Sequence, residues 1–178
     1  MATVAQPVRP INIRMECLEG PTPPLLEVSS FLFDLELVHD LGVLVANRHY
    51  VAYRFTPSFW EQRGRPVADT DRVKARRIVL GSPLVLELIF GGAAAVWALV
   101  QVAEKVSNWR LNRQKLRLEI GKLEAEAQKA EFEGGLSRES FEGALHEKNA
   151  TGILQQLAER LEGSYINVVD VTILNGKQ

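Results

Sequence analysis

A single cysteine, Cys17, excludes a disulfide within the chain, so stability has to come from packing. Cys17 falls in an alternating apolar and polar stretch, which reads as a buried structural thiol and accords with a cytoplasmic setting. Neither sign of charge is in excess. With 21 basic against 22 acidic residues the formal net charge is -1, which lacks the electrostatic footprint of a nucleic-acid binder. Histidine is scarce, and His39, His49 and His146 are scattered without metal-site spacing, so neither a metal nor another cofactor is expected. No phosphate loop of the G-x-x-x-x-G-K-[ST] type occurs, and no G-x-G-x-x-G follows a strand pattern. Residues 1–10 lack the basic start and apolar core of a secretory signal and read as a flexible leader.

What is present suffices for a core. At 178 residues with 46% hydrophobic and 24% charged side chains, the chain fits an α+β body. Ile11, Ile13, Met15 and Cys17 alternate with polar residues and predict a strand over Ile11–Leu18. Gly20, Pro21, Pro23 and Pro24 then mark a turn. Phe31, Leu35, Val38, Leu41 and Val45 recur at helical spacing and predict a helix over Ser30–Ala46, capped by Ser29 or Ser30. Asn47–Thr70 mixes aromatics with Pro57, Gly64 and Pro66 and reads as an irregular loop. Arg72–Leu80 and Leu84–Phe90 read as two strands joined at Gly81-Ser82-Pro83.

The most informative stretch is Ala93–Glu133, read as one long central helix. Ala95, Leu99, Val102, Val106, Trp109, Arg113, Leu116, Ile120, Leu123, Ala127 and Ala130 follow one another at steps of four and three, a coiled-coil-like heptad seam. At 1.5 Å per residue it would reach on the order of 60 Å, longer than a small domain is wide. Basic residues from Lys105 to Arg117 precede acidic ones from Glu119 to Glu133, so antiparallel pairing is the charge-consistent arrangement. Gly134-Gly135 ends the helix. Shorter helices follow, starting at Ser137 and Thr151 and stopping at Gly163, and can fold back on the long one as its antiparallel partner within the chain, before a last strand over Tyr165–Leu174. In that strand Val169, Val171 and Ile173 share a face with Tyr165, opposite Ile166 and Val168.

The fold expected is therefore α+β: a small mixed or antiparallel sheet holding both chain ends, a long central helix, and shorter C-terminal helices. It divides into 1–90, a strand, helix and strand part of the body; 91–135, the heptad helix; and 136–178, the returning helices and final strand.

Candidate chemistry is sparse. His39 beside Asp40 has the makings of an oriented base, but no nucleophile accompanies it in any motif. Asp69 and Asp71, with Asp34 or Asp40, offer oxygen ligands for a hard cation. Gly91-Gly92 before a helix offers free N–H groups to an anion, although turning the chain explains them more simply. Lys105–Arg117 surrounds Trp109, and Arg72, Lys74, Arg76 and Arg77 form a second basic group that suits the wet face of a strand. Nucleic acid is nevertheless set aside as a partner. Leu84–Val102 is almost continuously apolar and, as a rival reading, would anchor the chain in a membrane, against which stand Glu87 and Gln101.

The function expected is a non-enzymatic assembly or adaptor protein that associates with itself or another protein through the long helix. Leu99, Val102, Val106, Trp109, Leu116, Ile120 and Leu123 are its interface residues, and Arg113 sets register or partner choice. A membrane anchor ranks second and an enzyme with a site assembled from scattered residues third.

Overall fold

The computed structural model describes residues 9–17, 23–79, 84–90, 92–131, 136–164 and 166–174, with side chains described except at 9–17, 126 and 129–131. The readings made on Gly20, Pro21, Gly81-Ser82-Pro83, Gly91, Gly134-Gly135 and the Cys17 thiol lie outside these.

Four strands, β1 (Arg9–Cys17), β2 (Lys74–Val79), β3 (Leu84–Phe90) and β4 (Ile166–Ile173), make one sheet in the order β2-β3-β1-β4. Every pairing is antiparallel, and the first and last described strands share the sheet, as expected, and are neighbours in it. β1 starts within the expected leader. Pro10 is tolerated because there β1 pairs with Ile89 of β3 but not yet with β4, whose pairing begins at Ile11–Ile173.

One face assignment changes. Arg14 pairs with Asp170 and Met15 with Val168, which leaves Val169 as a bulge. The extra residue reverses the alternation, so Ile166, Val168 and Val171 are buried together while Val169 and Ile173 are only partly buried. In β3, Leu84, Leu86, Leu88 and Phe90 alternate cleanly into the core.

Helix α1 (Leu25–Ala46) begins five residues earlier than Ser30, directly after Pro24, while the Ser29 hydroxyl donates to Leu26 O instead of capping. From Leu37 to Val45 it is buried on every side. It packs closely on α2 (Ala93–Lys105): a Cβ on Gly42 would stand 2.6 Å from Ala94 O and 2.7 Å from Ala95 Cα. The small residues of α2 thus serve a helix crossing inside the core. Helices α4 (Arg138–Glu147) and α5 (Thr151–Glu162) pack on α1 and α2, and the Ser137 hydroxyl accepts from Ser140 N as the expected cap of α4.

The single long helix is not observed. It is broken into α2 and α3 (Arg113–Glu131) by a non-helical joint over Val106–Asn112, and the longest helix is α1, with 22 residues. The physical reason lies in two local substitutes for helical bonds. Asn112 Oδ1 accepts from Gln114 N and Lys115 N, capping a new helix start, and Arg113 donates to Ala103 O and Val106 O at 2.6 and 3.0 Å, closing the end of α2. The joint turns α3 onto the opposite side of the sheet from α1. Lys115 Nζ reaches Asp170 and Thr172, whose register partners Arg14 and Asn12 alternate with the strand positions facing Leu84, Leu86 and Leu88. Lys122 pairs with Glu119 inside α3.

The membrane segment is likewise divided. Leu84–Val102 comprises β3, a break containing Gly92 at φ 113°, and most of α2. Among the described residues no helix is long and apolar enough to cross a membrane.

Candidate functional site

Three groups of residues carry enough chemistry to be weighed as a site: the acids of α1, the heptad seam and the edge of the sheet.

α1 carries Asp34, His39 and Asp40 into the core, and each is engaged. His39 Nδ1 lies 2.9 Å from Asp40 Oδ1, and the imidazole and the Phe90 ring of β3 meet at right angles. Asp40 Oδ2 accepts from Arg65 Nε at 2.7 Å. The Arg65 guanidinium also donates to Phe59 O and Glu61 O, stands 3.8 Å from Glu36 and lies over the Phe33 ring. Four short 3-10 turns within residues 48–71 bring Arg65 there, and their shape depends on Gly64, where a Cβ would lie 1.8 Å from Ser58 O. Asp34 meets Arg160 of α5 at 2.7 Å, and Arg160 covers Trp60. Burial, partly countered by Arg160, holds the Asp34 carboxyl above the usual carboxylate range.

This arrangement does not suit acid–base catalysis. His39 is fully buried and Asp40 nearly so, and the carboxylate is spent on a buried cation. The network joins α1 to the irregular 47–72 segment and to α5. Tyr50 adds to it, donating to Asp71 Oδ2 at 2.7 Å and accepting from Ala68 N. Burial raises the pKa of both Tyr50 and Tyr53. Lys148 Nζ donates to Leu44 O and Tyr50 O, placing a cation at the C-terminal end of α1, while desolvation lowers its own pKa.

The four acids considered as cation ligands are dispersed. Asp69 pairs with Arg72, Asp71 with Tyr50, Asp34 with Arg160 and Asp40 with Arg65. Among the described residues no group of three His, Cys, Asp or Glu is arranged to hold a metal. Sequence reasoning missed Arg65, Arg160 and Lys148. The available signal was two aspartates inside a helix this apolar, since buried acids demand cationic partners.

The seam residues Leu99, Val102, Val106, Trp109, Leu116, Ile120 and Leu123 are all buried within the chain and belong to the one core cluster. Val106 and Trp109 sit in the joint, and Arg113 closes α2.

The exposed feature that remains is β2. Its residues Lys74, Ala75, Arg76, Arg77 and Ile78 are exposed, and among the described residues it pairs only with β3, leaving an outer edge. Arg76 pairs with Glu87 at 3.2 Å and Arg72, just before the strand, with Asp69. Lys74 and Arg77 have no ionic partner among the described residues. The chain skips a pairing at Arg76, so Lys74 opposes Ile89 and Arg77 opposes Glu87. The basic group read as a strand's wet face is therefore an edge strand with both faces wet.

Comparison with family models, with curated proteins and with solved structures returns no match. Function has to be read from the chain's own side chains.

Proposed function

We propose that the chain is a non-enzymatic adaptor whose basic edge strand β2 holds an extended, acidic segment of another protein. The observation that carries this reading is a strand edge that no described strand shares, beside Lys74 and Arg77, which have no ionic partner among the described residues. An edge strand supplies backbone donors and acceptors to an added strand, and alternate side chains select what is added. Here those side chains demand acid. A second β2 would bring Lys74, Arg76 and Arg77 against their own copies, so edge-to-edge self-association is opposed by like charge. A polypeptide suits the strand better than nucleic acid, because Ile78, at 48% exposure, offers an apolar contact and no aromatic lies in β2 for bases to stack on.

The test uses a ten-residue peptide alternating Glu with Val, and a single-stranded oligonucleotide of similar charge, both followed by fluorescence anisotropy at two salt concentrations. Binding of the peptide, lost at least about tenfold in Lys74→Glu with Arg77→Glu, supports the proposal. Preference for the oligonucleotide, or binding unchanged in the double variant, overturns it.

A further inference from the structure

We infer that the joint Val106–Asn112 is a hinge that straightens into continuous helix, letting two copies of the chain exchange everything from α3 to β4.

Four observations meet at this joint. The joint is seven residues long, one heptad, so Leu99 and Val102 before it and Leu116, Ile120 and Leu123 after it remain in one register. A loop that was never helical would have no reason to keep that phase. The joint also contains neither glycine nor proline, so nothing in its sequence forbids a helix. As folded, it leaves Trp109 Nε1 and Asn108 Oδ1 buried without a hydrogen-bond partner among the described residues, which disfavours the bent form. Finally, the bonds holding the bend are substitutes. Arg113 takes the carbonyls of Ala103 and Val106, which in a continuous helix would accept from Ser107 N and Arg110 N, while Ser107 and Asn108 are tied to Glu162 at the end of α5.

What lies beyond the joint makes exchange the natural outcome of straightening. α4 and α5 pack on α1 and α2, and β4 pairs with β1, so the C-terminal unit makes its main contacts with the N-terminal one. An extended chain would expose Leu116, Ile120 and Leu123 to water until a second copy accepted the unit. Reciprocal exchange restores each contact and adds two straight helices at the crossing. It uses neither β2 nor its basic side chains.

The deciding experiment marks which chain supplies β4. Asn12 and Thr172 are register partners on β1 and β4, close enough as antiparallel neighbours for a disulfide. The variant Asn12→Cys, Thr172→Cys, Cys17→Ser is refolded from urea at low and high protein concentration and then oxidised with oxidised glutathione. On a denaturing gel without reductant, an exchanged dimer runs as two linked chains, whereas a monomer, or a dimer built on any other surface, runs as one. We expect linked chains at high concentration. Adding Asn112→Ala, which removes the cap of α3, should raise their proportion on the order of fivefold per chain exchanged. Adding Asn108→Pro, which forbids the straight helix, should abolish them. Disulfides closed only within single chains at every concentration, with Asn112→Ala making no difference, overturn the inference. Asn108→Pro need not fold for the test to decide, because linkage in the parent variant reads the exchange directly.

Discussion

Arg65 donates to Asp40 at 2.7 Å across 25 residues of chain, and the two groups are almost completely buried together. Two charges removed from water in this way are held by each other and by the carbonyls of Phe59 and Glu61. Removing one partner leaves the other stranded. Arg65→Met should lower unfolding free energy by about 3–5 kcal/mol, and Asp40→Asn combined with it should cost less than the separate losses added together. Urea unfolding of the three variants measures this. Additive losses would show that the pair is not coupled.

At Gly42 the backbones of α1 and α2 approach closely. Any side chain there displaces Ala94 and Ala95 backbone, which cannot move as a flexible side chain does. Gly42→Ala should destabilise by roughly 1–3 kcal/mol despite the better helix propensity of alanine. An equal or higher urea midpoint would mean that the helices separate without loss.

Asp34 has its pKa raised, burial outweighing Arg160. The charged form is therefore disfavoured by folding, so the stability linked to this group is fully present below its unfolded pKa and is lost as pH rises through its folded pKa. Asp34→Asn does not titrate and should gain on the native chain as pH is raised from the acid side of the carboxylate range to neutrality. Urea midpoints across that range give the sign. If the native chain gains instead, attraction to Arg160 exceeds the desolvation.

Gly92 leads into α2 at φ 113° and ψ -179°, a region open to glycine and strained for other residues. Gly92→Ala should lower stability by roughly 1–3 kcal/mol, read as a lower thermal midpoint with an unchanged helical circular-dichroism signal. An unchanged midpoint would show that β3 and α2 can be joined by another path.

These features differ in how far the sequence discloses them. Alternation placed the strands and put β1 and β4 in one sheet, because one buried face leaves a period of two in the residues themselves. It misassigned the faces of β4, since the bulge at Val169 depends on the partner strand. The heptad seam identified residues that are buried, but burial looks the same whether the covering surface belongs to another chain or to the same one. What broke the helix, Asn112 as a cap and Arg113 on two carbonyls, is short-range chemistry that periodicity does not register. The Arg65 network was the least legible part. Arg65 sits in an irregular stretch, and only the folded path of residues 48–71 carries it to Asp40.

The position of β1 also sets an order of assembly during synthesis. Its β3 side can close once residues up to Phe90 have left the ribosome, whereas its other side waits for residues up to Ile173. Between those moments a hydrogen-bonding edge of β1 stands open beside a half-built core, and such long-range pairings are slow to form. Crowded nascent chains on one messenger would share that interval, each presenting an unfilled strand position to its neighbour.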